Sequence, residues 1–234
     1  MDLLINGAKQ LGIDLTEKQV DQFRQYRTLL LEWNQKINLT GITDPDEVLT
    51  KHFLDSMTPL HLIKQNATVI DVGSGAGFPG LVMKIARPDL QVTLLDSLNK
   101  RLIFLNDVME KLELDGVQTV HSRAEDGGKN KAMREMFDVA TARAVAALGT
   151  LCEYCLPYVR VDGLFLAMKG PLADEEIAGA HGAISILGGK LDRVIQTDIP
   201  GTDLRHNVVM IKKIRQTPAK YPRNAAKMAK SPLK

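Results

Sequence analysis

The sequence predicts an α/β fold with a mostly parallel seven-stranded sheet, a helical extension ahead of it and an antiparallel hairpin closing it. Three observations carry this. From residue 67 onward, short β-branched runs alternate with stretches of helical spacing, the pattern of parallel strands joined by crossover helices. Residues 69–81 read Val-Ile-Asp-Val-Gly-Ser-Gly-Ala-Gly-Phe-Pro-Gly-Leu, a buried strand that runs straight into a glycine-rich turn. The last two β-rich segments, 191–198 and 207–214, are joined through Pro200-Gly201, a turn suited to a hairpin.

The elements follow in order. Thr16-x-x-Gln19 forms a capping box, after which Val20, Phe23, Tyr26 or Arg27, Leu30, Trp33 and Ile37 recur at helical spacing. This amphipathic helix is expected to pack on the main domain, with Asn34, Lys36, Asn38 and Thr40 as a polar set beside it. A second helix starts at Asp44-Pro45-Asp46-Glu47, where Asp caps and Pro takes the first position. His52 and Asp55 near its end are read as structural.

The strand at 67–72 leads into Gly73, Gly75, Gly77 and Gly80, and a helix opens near 78–80 with Pro79 in its first turn. Glycine lets the backbone take positive φ and pass close under a bound cofactor. Gly75-x-Gly77-x-x-Gly80 also satisfies the dinucleotide fingerprint. Asp71 argues against that, since a carboxylate at the strand's end repels a pyrophosphate and suits the cationic, phosphate-free S-adenosylmethionine. No Gly-Lys-Ser/Thr follows the glycines, which excludes a phosphate-loop NTPase.

A break at Arg87-Pro88 precedes a strand at 91–95 that ends in Asp96, placed to hold a ribose diol or to cap the helix at 97–112. A third strand, 117–121, opens into Ser122-Arg123-Ala124-Glu125-Asp126, where Ala124 and Glu125 are positioned to meet an adenine ring. A fourth strand, 137–141, is followed by Ala142-Arg143-Ala144-Val145, and a fifth, 164–168, by Lys169-Gly170. A parallel core closed by a terminal hairpin is the plan of the Rossmann-like class I methyltransferases that use S-adenosylmethionine.

Composition bounds the rest. With 44% hydrophobic and 25% charged residues the chain is an ordinary globular protein. It has no apolar run long enough to span a bilayer and no leader-like start, so it is expected to be cytoplasmic. After Asp203 there are nine Lys or Arg and no Asp or Glu, which leaves residues 1–203 at −7: an acidic body with a basic tail that suits an anionic partner. Cys152 and Cys155 sit in an apolar run, and the five His are scattered, so buried thiols rather than a metal or redox site are expected.

The position after the fourth strand faces the transferred group in such enzymes. It holds Arg143, with no Asn/Asp-Pro-Pro-aromatic or Pro-Cys sequence and no evident base. A reaction without a base fits best, such as attack by guanine N7, whose lone pair carries no proton. Arg143 stays protonated and is assigned a positioning role.

Assembled, these residues resemble the small-subunit ribosomal RNA methyltransferase G family, also called glucose-inhibited division protein B, which methylates guanine N7 in 16S ribosomal RNA. The likeness rests on Leu31-Glu32-Trp33-Asn34, Asn38-Leu39-Thr40, His52-Phe53-Leu54-Asp55-Ser56, residues 71–81, Asp96-Ser97, Arg123-Ala124-Glu125, Arg143-Ala144-Val145-Ala146 and Tyr221-Pro222-Arg223. It implies that Gly73 and Phe78, with Asp71, Ser74, Gly75 and Gly77 in the same motif, hold S-adenosylmethionine. It further implies that Asp96, Ala124 and Glu125 meet the adenosine and that Arg143 closes the site. Asn38, Thr40, Arg123, Lys169 and the tail with Arg205, Lys220 and Arg223 are implied to face RNA. The tail departs from the family at Ala225, Ala226 and Met228. The expected organisation is a helical extension at 1–60, a cofactor domain at 61–215 and a basic tail at 216–234, and removal of the residues after Lys213 is expected to spare cofactor binding. A metal-free monomer acting on 16S RNA or the small subunit is expected, against alternatives of an NAD-dependent oxidoreductase or a non-catalytic RNA-binding module.

Overall fold

The computed structural model describes residues 1–170 and 173–233. Seven strands form one sheet: β1 (Thr68–Val72), β2 (Gln91–Asp96), β3 (Val117–His121), β4 (Phe137–Arg143), β5 (Val159–Lys169), β6 (Gly189–Asp198) and β7 (Arg205–Lys213). Their order is β3-β2-β1-β4-β5-β7-β6, parallel through β5 and antiparallel for β7 against β5 and β6. The order reverses at β1 and β4, which puts a crevice at the carboxyl ends of the central strands. Side chains alternate across the sheet, so Val69, Val139, Leu166 and Val208 join one buried cluster while Ile70, Ala140, Phe165 and Val209 join the other.

Helices α1 (Asp2–Gln10) and α2 (Glu17–Ile37) pack on the first of these clusters. The capping box at Thr16 and Gln19 is present. The Gln19 amide does more than cap, because its Nε2 donates to the carbonyls of Ile85 at 2.7 Å and Ala86 at 3.1 Å. Gln22 Nε2 donates to Leu112 O at 2.8 Å in the same way. Two buried glutamines thus satisfy carbonyls at the ends of neighbouring helices, which would otherwise be orphaned. Trp33 Nε1 donates to Asp107 at 2.9 Å.

Asp44 caps a continuous helical stretch built from α3 (Pro45–Glu47), a π-helix (Val48–Leu54) and α4 (Asp55–Met57). Beyond β1 come α5 (Gly80–Ala86), α6 (Asn99–Lys111), α7 (Ala124–Gly127), α8 (Leu148–Cys155), α9 (Ala173–Ala178) and α10 (His181–Ile186). Cys152 and Cys155 lie buried and free in and at the end of α8, and burial raises both thiols. Strands β4 and β5 run further than their apolar cores suggest. Arg143 is the last residue of β4, paired in register with Met168 of β5, and the sheet carries it to the crevice.

The tail differs from a solvated basic arm. Lys213 is fully buried and donates to Leu156 O at 2.6 Å, Val159 O at 3.0 Å and Thr217 Oγ1 at 2.9 Å, with Glu135 at 3.1 Å. Burial, against the pull of Glu135, lowers it to about 8. Arg223 forks onto the buried Glu153, with Nη2 at 2.6 Å and Nε at 2.8 Å, so its guanidinium is committed inside the protein rather than offered to RNA. Asn224 then caps α11 (Ala225–Lys230), in which Met228 is buried. The alanines and methionine that depart from the family pattern are good helix formers, and they make this segment a short packed helix. Lys220, Lys227 and Lys230 stay on the surface, and Lys234 lies outside the described residues.

Arg223→Ala strands the Glu153 carboxylate in the interior and is expected to cost about 3 kcal/mol in urea unfolding. A double variant, Glu153→Gln with Arg223→Met, is expected to recover most of that loss.

Candidate functional site

Two adjoining cavities open at the crevice. One of about 480 Å³ lies over the glycine loop, and a second of about 520 Å³ lies beside it over the ends of β4, β5 and β7. They share His52, Arg143 and Ala144 as a common wall.

The glycine loop is held from below and behind. Gly73 N and Ser74 N donate to Leu95 O at 2.8 and 3.1 Å, and Gly75 N donates to Asp96 Oδ2 at 2.9 Å. Gly73, Gly75 and Gly77 take φ of +80°, +58° and +95°, which L side chains resist. A Cβ on Gly77 would run into the Tyr26 hydroxyl, which donates to Ala76 O in the loop. Tyr26 also packs against Phe53, Phe78 and Phe104, so α2 braces the loop it covers. Gly73, Ser74, Gly75 and Phe78 line the first cavity, whereas Gly77 lies behind it as a packing position.

Asp71 corrects its expected role. It is completely buried, does not line either cavity, and its Oδ2 accepts the Gly80 N–H at 2.9 Å at the start of α5. A Cβ on Gly80 would lie 2.7 Å from Asp71 Cβ, so the helix start is seated directly on the carboxylate. That amide is the one a pyrophosphate would need. Asp71 therefore disfavours a dinucleotide by occupying the helix start and placing buried acid under the loop, not by touching a ligand. Burial is the main cause that raises it to about 7, opposed by the Gly80 amide and the Arg143 charge.

Arg143 forms the densest cluster. Its Nη1 donates to Asp55 Oδ2 at 2.8 Å and Lys51 O at 3.0 Å, and its Nη2 donates to His52 Nδ1 at 3.0 Å. The guanidinium stands 5.0 Å from the centroid of Phe78, on which His52 stacks at 4.3 Å. Because a guanidinium only donates, His52 Nδ1 must accept, so Nε2 carries the proton and donates to Thr40 Oγ1 at 2.7 Å. Burial first and the Arg143 charge second push His52 down to about 3, which keeps it neutral with both nitrogens engaged. Asp55 completes the set through His206 Nδ1, which approaches its Oδ1 at 2.9 Å. His52 and Asp55, read as structural from sequence, thus fix the central cation of the site. Their three-residue spacing on a helical stretch and their place in a motif of the resembling family are the signals the sequence carries.

The other expected residues divide. Asp96 lines the first cavity with its carboxylate spread over Gly75 N, Leu98 N and Arg101. Ala124 and Glu125 line it too, and Tyr158 fixes Ala124 O at 2.7 Å. Arg123 projects with 68% of its side chain exposed. Arg205 is also exposed and pairs with Asp198. Asn38 ends α2 in the left-handed conformation and is exposed. Lys169 is largely buried, bonded to Glu176 and to Ala146 O at 2.7 Å each. Tyr154 and Ala225 also line the first cavity, which makes the tail part of its wall.

The donor set fits S-adenosylmethionine. A glycine-rich loop forms the floor, Asp96 stands at the strand end suited to a ribose, and Glu125 and Asp96 bring negative charge toward a cationic ligand. No group of His, Cys, Asp and Glu suited to a metal occurs among the described residues, and no described helix is long and apolar enough to cross a membrane.

The sequence matches the family described as rRNA small subunit methyltransferase G over residues 19–204. It is 50% identical to the ribosomal RNA small subunit methyltransferase G of Acetivibrio thermocellus over 232 residues, covering 99% of this chain and 96% of that protein. It is 50% identical to that of Clostridium perfringens strain SM101 over 235 residues, covering 100% and 98%. Among solved structures, M. jannaschii TYW2 in complex with AdoMet aligns with TM-score 0.55 at 12% identity, covering 68% of this chain and 75% of that one. A SAM dependent methyltransferase from Aquifex aeolicus aligns with TM-score 0.51 at 19% identity, covering 72% and 93%. The solved structures share the fold.

Asp71 generates a pH test. Its folded value of about 7 stands above the ordinary 3.8, so its contribution to stability is full below the ordinary value and is lost as pH rises through the folded one. Between about pH 5 and about pH 8, Asp71→Asn is expected to gain on the wild type by roughly 2 kcal/mol, read by denaturant unfolding of the ligand-free protein.

Proposed function

The chain belongs to the rRNA small subunit methyltransferase G family, whose members use S-adenosylmethionine, and we propose that it methylates N7 of a guanine in 16S RNA without a general base. The observation that carries the base-free reading is the state of the groups around Arg143. His52 is held neutral with both ring nitrogens taken, and Asp55 is consumed by Arg143 and His206. Neither is available to remove a proton, and guanine N7 has none to remove.

S-adenosylmethionine, when bound, supplies a methyl group on a positively charged sulfur. Gly73, Ser74, Gly75 and Phe78 would hold it from below, Asp96 at its ribose, and Ala124 with Glu125 at its adenine. Arg143, kept rigid by Asp55, Lys51 O and His52, holds the wall between the two cavities and orients what meets there. Phe78 and His52 exclude water from that wall by stacking over it. Arg123, Lys220, Lys227 and Lys230 give an exposed basic surface for RNA phosphates, which would make RNA binding steeply salt-dependent. The protein acts in the cytoplasm as a monomer in this reading.

Transfer of labelled methyl to small subunits lacking the modification, followed by nucleoside digestion, is expected to yield 7-methylguanosine. Label in any other nucleoside overturns the acceptor. Arg143→Lys keeps the charge but loses the fork, and is expected to lower kcat about 100-fold.

A further inference from the structure

We propose that the second cavity is the seat of the acceptor guanine, drawn out of its stack, with Glu176 and His206 reading the base edge that carries its N–H donors. The inference rests on the guanine reading above and goes on to name where that base sits.

Chemistry on a base requires the base to leave its stack and enter a shaped site. The acceptor must also reach the methyl group directly, so its seat has to adjoin the cofactor's cavity. The second cavity meets that condition, since it touches the first through His52, Arg143 and Ala144. At about 520 Å³ it falls in the range of small-molecule sites. Its lining has the mixture a purine needs. Ile42, Met168 and Leu204 supply apolar surface for the ring faces. Glu176 and His206, which line this cavity and not the first, supply polar atoms for an edge.

The hydrogen bonds already made decide what is left to offer. Glu176 Oε2 takes both Lys169 Nζ at 2.7 Å and Leu148 N–H at 2.8 Å, which leaves Oε1 to accept. His206 gives its Nδ1 to Asp55, which leaves Nε2. Both remaining atoms suit the N1–H and N2–H donors of guanine, a pair that adenine does not present. With that edge on Glu176 and His206, the opposite edge, bearing N7 and O6, is turned to the shared wall. There Arg143 is a donor suited to O6, and the N7 lone pair is left for the methyl. Bond making is a direct displacement: the N7 lone pair forms the new N–C bond as the S–C bond breaks, its electron pair returns to sulfur, and the positive charge passes to the base.

Gly170 gives a clean way to fill this cavity. It lines it, and a Cβ added there meets nothing within 4 Å. In the full-length protein, Gly170→Trp is expected to lower methyl transfer to unmodified small subunits about 100-fold while the affinity for S-adenosylhomocysteine, read by calorimetry, stays within about twofold. Glu176→Gln is expected to raise the KM for the particle about 10-fold with kcat little changed, because the contact is present before and during transfer. A parallel loss of S-adenosylhomocysteine affinity in Gly170→Trp would overturn the proposal by assigning the cavity to the cofactor. Unchanged transfer in both variants would overturn it by placing the base elsewhere. Wild-type label outside 7-methylguanosine would overturn the guanine reading itself, and that result is seen before any variant is compared.

Discussion

A guanidinium at the end of a central strand needs acceptors for its donors, and Arg143 finds three of them on a segment far away in sequence. Asp55, His52 and the Lys51 carbonyl all come from the helical stretch that begins at Asp44. Breaking a buried charged pair costs far more than forming it gains, so such a pair contributes specificity of arrangement more than net stability. Here it ties the helical stretch that begins at Asp44 to the end of β4. It also ties in the hairpin, since Asp55 accepts from His206 of β7. One cation therefore gathers three parts of the chain around the place where the two cavities meet.

The π-helical turn makes this possible. A wider helix changes which residues share a face, and π-segments recur at functional sites. Val48–Leu54 presents His52 and Lys51 O toward β4 while Phe53 stays in the aromatic cluster with Phe23 and Tyr26. The same stretch serves packing on one side and the site on the other. Tyr26 extends the principle: it is a core residue by burial, yet its hydroxyl holds the Ala76 carbonyl of the cofactor loop.

The C-terminal tail follows a similar logic. Its charges suggest a partner in solution, but two of them face inward. Lys213 and Arg223 lie against Glu135 and Glu153, and the chain between them is pinned by Arg134 to Thr217 O at 2.7 Å and Tyr221 O at 2.9 Å. The tail is thereby pulled across the first cavity, where Ala225 joins the wall. Arg205, Arg215 and the remaining described lysines stay on the surface for a polyanion.

The amino-acid sequence by itself determined the class of fold and the glycine-rich loop. Those depend on local signals: a β-branched run entering Gly73, Gly75 and Gly77, a capping box at Thr16 and a hairpin turn at Pro200-Gly201. Strand and turn preferences act over a few residues and can be read from them. What only the tertiary structure decided is which groups meet. Asp71 reads as a ligand contact but is sealed under α5, because burial depends on what packs above it. His52 and Asp55 read as packing but define the site, because their partner arrives from another strand. Arg223 reads as a solvated charge but is an internal one, because Glu153 lies buried on a helix no local pattern connects to it. Charge and hydrogen-bond pairing are set by distance in space, and the sequence does not carry that distance.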